Sequence, residues 1–129
     1  VVVGIGAYTA GSTYVDPTDL SLRVIPATKT KHYVVAVVDD PNVIFECQEV
    51  SGGTAFTAAE VGLNANLVAG TDNGYTSTWE VNNVGEATTA TLNVRLLGLV
   101  QRSDNAFGEH AKWLVLINDH ELRVGSAGL

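Results

Sequence analysis

Residues 88–98, TTATLNVRLLG, place Ala90, Leu92, Val94 and Leu96 on one side of an extended chain and Thr89, Thr91, Asn93 and Arg95 on the other. A period of two belongs to a strand with one buried face and one wet face. The same rule read outward gives more strands. In NVIFECQEV, residues 42–50, Val43, Phe45 and Cys47 share a face against Ile44, Glu46 and Gln48, which aims Cys47 at the core. WLVLI, residues 113–117, does not alternate and reads as a strand covered on both faces or lying in a subunit contact.

Gly, Asn, Asp and Ser punctuate a chain rich in valine and threonine and devoid of methionine, which is the composition of strands and turns. Strands are expected over 1–8, 20–25, 32–38, 43–50, 65–69, 77–81, 88–100, 111–117 and 120–124. Helix is confined to FTAAEVG, residues 56–62, where Thr57 and Glu60 make a capping-box pattern that Gly62 stops after one turn. Residues 51–87 are rich in Gly, Asn, Thr and Ser and read as a long surface loop region, with TDNGY as its tightest turn. The expected fold is all-β: a compact antiparallel barrel or sandwich forming a single domain over 1–129. Its centre is the strand 88–100 paired with 111–117 through the loop QRSDNAFGEH.

A chain of 129 residues, 46% hydrophobic and 16% charged, can bury one core without disulfides or metal. It carries 14 acidic against 7 basic residues, a net charge of −7, which repels nucleic acid and anionic lipid. No apolar run approaches the roughly 20 residues that cross a bilayer. Cys47 is the sole cysteine, so an intrachain disulfide is excluded and assembly in a reducing cytoplasm is compatible. The chain begins at Val1, without methionine and already inside an apolar run, which suggests a processed or incomplete N-terminus.

The residues that could carry chemistry have plainer readings. Asp39-Asp40-Pro41-Asn42 has the turn-favouring side chains and the fixed φ of a hairpin corner, and adjacent carboxylates leaving a strand point apart rather than onto a shared site. GIGAYTAG lacks the third glycine and the following helix of a dinucleotide fingerprint. His110 beside Glu109 and His120 between Asp119 and Glu121 could build a metal site if their segments met. The H-x-H pair of a cupin-like barrel is missing, because position 118 is Asn. A thiol aimed at an apolar core is a poor nucleophile, which removes Cys47. Trp113 reads as core. Tyr75 and Trp79, in the polar region, are the better surface aromatics and the candidate partner-contact residues. No catalytic, cofactor or metal site is expected.

The pieces VVDDPNVIFECQ, VGLNANLVAGT, LLGLVQRSDNAFGEHAKWLVLINDH and RVGSAGL, in this order, resemble capsid decoration (cement) proteins of tailed bacteriophages. The resemblance runs from Tyr33 to the end. It is most specific at Asp39-Asp40-Pro41, Phe45, Asp104-Asn105, Gly108, Lys112-Trp113, Ile117-Asn118 and His120, while residues 1–32 match poorly. It implies a structural virion protein, made in the host cytoplasm, that sits on the outer capsid surface and holds neighbouring capsomers together. The implied partners are the major capsid protein and further copies of this chain, as a trimer or at a trimeric junction. The runner-up reading is a β-sandwich binding module, such as a head fibre or a carbohydrate-contacting appendage, with Tyr75 and Trp79 at its site. A metal-dependent enzyme using His110 and His120 comes third.

Overall fold

The computed structural model describes residues 1–8, 20–70 and 78–129. Eight strands and one 3-10 turn make up their regular structure, all paired antiparallel within sheets that do not close into a barrel. The fold is all-β and sandwich-like. The described chain forms two compact units, Val1–Asp40 and Pro41–Leu129.

The first unit is a two-stranded ribbon of β1 (Val2–Tyr8) and β2 (His32–Val37), with Ile5 opposite Val35 and Tyr8 opposite His32. The register shifts between Val2 and Gly4, a bulge that bends β1. The strand expected over 20–25 shrinks to isolated bridge residues, Ser21 and Leu22, of which Leu22 pairs with Ile5.

The second unit holds a four-stranded sheet in the order β3-β8-β7-β4 and a two-stranded sheet β5-β6. Their ranges are β3 Ile44–Gln48, β4 Asn64–Ala65, β5 Leu67–Ala69, β6 Trp79–Val81, β7 Val94–Leu99 and β8 Lys112–Ile117. The expected central pair, β7 with β8, does occupy the middle of the larger sheet. Its inward residues Val94, Leu96, Trp113 and Val115 form the core with Phe56, Ala65, Val81 and Ala111, and Phe45, Cys47, Leu67 and Leu99 pack against it. Each fully buried Val, Leu or Phe side chain among them contributes about 1.5–3 kcal/mol. Trp113 is wholly buried and meets Phe56 edge-on, with ring centroids 5.6 Å apart at 89°.

Departures from the expected strands have local causes. β7 starts only at Val94, although burial still alternates through Ala90 and Leu92. The carbonyls that a longer strand would offer are taken by asparagine side chains: Asn64 Nδ2 donates to Thr89 at 3.0 Å, and Asn118 Nδ2 donates to Ala90 at 2.8 Å and Leu92 at 3.2 Å. The strand expected over 65–69 splits at Asn66, with β4 joining β7 and β5 joining β6. Residues 120–124 form a tight turn, Arg123 N–H to His120 C=O at 2.9 Å, instead of a strand. The turn expected near Thr57 is present as Ala58–Glu60. Thr57 Oγ1 accepts from the Ala59 N–H at 3.2 Å, and Glu60 Oε2 accepts from the Thr57 N–H at 2.6 Å. The region 51–87 is less of a surface excursion than its composition suggests, because Phe56, Asn64, Ala65, Val81 and Asn83 are all buried. TDNGY, residues 71–75, lies outside the described residues.

Pro41 and Asn42 do form a turn, but it is not a hairpin corner. β2 pairs with β1 and β3 pairs with β8, so the strands on either side enter different sheets. A proline and two carboxylates suit any chain reversal; strand partners are chosen elsewhere, by which apolar faces fit together.

Candidate functional site

Strand β8 carries two different surfaces, because successive side chains point to opposite faces of a sheet. Trp113 and Val115 enter the core, while Leu114, 36% exposed, and Leu116 face outward. The register sets Ile44 of β3 beside Leu116 and Glu46 beside Leu114, and Ile44 is 56% exposed. On the other flank Arg95 of β7 opposes Leu116. The non-alternating WLVLI is thus fully buried on one face, at Trp113 and Val115, and only partly covered on the other among the described residues. Its second face is an apolar strip of Ile44, Leu114 and Leu116 with charged neighbours.

One end of this strip opens into a polar cleft of about 300 Å³ lined by Glu46, Arg102, Asp104, Asn105, His110 and Lys112. Asn105 shapes it. Its Nδ2 donates to the Val100 and Lys112 carbonyls at 2.9 and 2.8 Å, and its Oδ1 accepts from the Lys112 N–H at 2.8 Å, closing the β7–β8 loop on itself. Glu46 pairs with Arg102. Lys112 Nζ donates to Gln48 Oε1, and Gln48 Nε2 donates to Glu80 Oε1 at 2.8 Å and lies 3.2 Å from His110 Nδ1. His110 is held in the left-handed region, at φ 63°. Glu46, Arg102, Lys112 and His110 of the lining thus engage other side chains, and Asn105 engages the backbone.

His120 is employed elsewhere: its Nδ1 accepts from the Leu122 N–H at 3.1 Å. Among the described residues no three His, Cys, Asp or Glu side chains come together as a metal site. Cys47 packs beneath the sheet as expected, its Sγ donating to the Trp79 carbonyl at 3.5 Å, and burial pushes its thiol up from the ordinary value. Asp39 and Asp40 end the first unit. Trp79 is 58% exposed on β6, whereas Tyr75 lies outside the described residues.

Sequence reasoning missed the buried polar framework. Glu49 is completely buried, with Oε1 accepting from the Phe56 N–H at 2.9 Å and Asn83 Nδ2 at 3.1 Å, and Oε2 accepting from Trp113 Nε1 at 3.0 Å. Its position was readable: residue 49 continues the inward series 43, 45, 47. A second group fastens the C-terminal tail. Asn64 Nδ2 and Arg95 donate to the Ser126 carbonyl at 2.9 Å each, Arg95 also reaches the Ala127 carbonyl, and Asn118 Oδ1 accepts from the Ser126 N–H at 3.1 Å. The Leu129 N–H then bonds the Gly62 carbonyl at 3.0 Å. These partners lie far apart in sequence, and no local pattern announces them.

In comparisons with known proteins, no family model, curated protein or solved structure matches this chain.

Proposed function

We propose that this chain is a structural virion protein that binds the outer surface of a tailed-phage capsid and stabilises contacts between capsomers. The observation that carries the reading is the outward face of β3 and β8, where Ile44 on the edge strand and Leu114 on its inner neighbour remain exposed. An apolar strip with a polar rim is what a subunit contact requires: desolvation at the middle and satisfied charges, here Glu46 with Arg102, at the margin. The motifs that resemble decoration proteins run through these same strands. The partners are the major capsid protein and neighbouring copies of this chain. Nucleic acid and membrane are not among them, given the net charge of −7.

A non-catalytic role accords with the employment of the acidic and thiol groups. Glu49 holds the core together, Glu60 caps a turn, Glu46 is paired and Cys47 is shielded. Heads purified with the chain present should carry it in a stoichiometry comparable to the capsid protein, and heads lacking it should open at lower temperature. Heads equally stable without it would overturn the proposal. The exposure of Trp79 favours one second reading, a glycan-binding module. Glycan-array binding that vanishes in Trp79→Ala would establish it in place of the first.

A further inference from the structure

We propose that β2 is a self-association edge, pairing antiparallel with β2 of a second copy of this chain about a two-fold axis through Val35. The inference stands apart from shell binding, since it concerns the isolated chain and only its first unit.

Backbone bonds establish which way β2 faces. The Val38 N–H bonds the Val1 carbonyl at 2.9 Å, so residue 38 points toward β1, and the Leu22 N–H bonds the Ile5 carbonyl at 3.1 Å, so Ile5 points away from β2. Ile5 stands opposite Val35. Alternation along an antiparallel strand then turns Val34 and Ala36 toward β1, and directs the N–H and C=O groups of Tyr33, Val35 and Val37 to the other edge. Among the described residues no strand pairs with that edge. β1 is protected on its outer side by the Val3 bulge and the Leu22 bridge. β2 has neither device, and HYVVAV contains no proline and no acidic residue to blunt it. A two-stranded ribbon is marginal in water, and a third and fourth strand stabilise it.

The sequence around this edge chooses its occupant. Lys29 and Lys31 precede the strand, and Asp39 and Asp40 follow it. Two such strands laid antiparallel bring the basic end of each against the acidic end of the other. Since only odd-numbered residues face outward, the possible registers move in steps of two. The register with Val35 opposite Val35 is the one that pairs Tyr33 with Val37 twice and also places Lys31 opposite Asp39 twice. It forms about six inter-strand hydrogen bonds. A shift of one step one way sets Lys31 against Pro41 and leaves no Lys–Asp pair; the other way it sets Lys29 against Asp39 but puts Lys31 against Val37 in place of the Tyr33–Val37 pairs. Val35, 40% exposed, then meets its own counterpart, and Val37, 55% exposed, meets Tyr33 of the second copy across the new ladder.

The test is sedimentation velocity of the full chain, as the parent, as Lys31→Asp and as Asp39→Lys. The parent should sediment as a dimer that weakens with added salt. Each single variant sets two like-charge pairs face to face and should dissociate about tenfold more readily. An equimolar mixture of the two variants restores both attractive pairs and should recover the dimer, which a folding defect in either would not permit. A parent that stays monomeric, one that forms only trimers, singles that associate like the parent, or a mixture that fails to recover would each overturn the proposal.

Discussion

Replacing Glu49 by Gln keeps the shape of the side chain and changes one oxygen into a donor. In the parent both oxygens only accept, from the Phe56 N–H, Asn83 Nδ2 and Trp113 Nε1, in a site closed to water. The amide has two orientations. Turned toward Phe56 and Asn83, its NH2 opposes two donors; turned toward Trp113, it opposes one, and that orientation wins. The variant then buries the Trp113 N–H and its own NH2 without acceptors, which costs about 1–3 kcal/mol. Glu49→Ala strands the Phe56 and Trp113 donors and opens a cavity, at roughly 3–5 kcal/mol. Domains of this kind hold only about 5–15 kcal/mol in total, so both effects fall within easy measurement. Urea unfolding followed by far-UV circular dichroism reads them. In a Trp113→Phe background the opposed donor is gone, and the cost of Glu49→Gln should shrink by about 1 kcal/mol or more. If Glu49→Gln lies within about 0.5 kcal/mol of the parent, or costs the same with and without the indole N–H, the assignment of Glu49 as the core's acceptor is wrong.

Three further outcomes follow from the same packing. A Cβ on Gly125 would stand 2.2 Å from the Ala90 carbonyl oxygen, so Gly125→Ala should loosen the tail that Asn64, Arg95 and Asn118 hold, raising amide exchange over residues 125–129. Thr57→Ala should lower stability by about 0.5–1 kcal/mol through the lost cap. The Thr57 N–H holds the Glu60 carboxyl below its ordinary value. The contribution of that group is therefore present at neutral pH, above the carboxyl's unfolded value, and lost as pH falls through its lower folded value. The effect is small at so exposed a site, and because Thr57→Ala keeps the same backbone N–H, acid unfolding of Glu60→Gln against the parent isolates it. Cys47 should react with a disulfide reagent at pH 8 far more slowly in the native chain than in urea, because burial disfavours its thiolate; equal rates would contradict its placement beneath the sheet.

Period-two reading finds β7 and the inward face of β3 because each has one wet side; β8 is legible only as a short continuous apolar run, and the Thr57–Glu60 cap is legible because that motif is local. Period-two reading also placed Cys47 correctly, while Trp113 came from the apolar run. It could not recover partner choice: the turn at Pro41 is written in the chain, but nothing near it says that β2 goes to β1 and β3 to β8. Nor could it place Asn64 or Asn118, whose role is to receive a tail some 62 and 8 residues away. Polar letters in a β sequence suggest surface, and only a closed fold shows which of them have backbone partners waiting inside. WLVLI was ambiguous because an outward face that awaits a partner carries the same side chains as a buried one.

A reconstruction of intact particles tests the central claim most directly. The account expects this fold on the outside of the shell in copies comparable to the capsid subunits, with Ile44 and Leu114 covered by capsid surface. Particles whose shells are fully formed and bare of the chain, or a chain that touches the head only at a stalk and leaves that face to solvent, would contradict it.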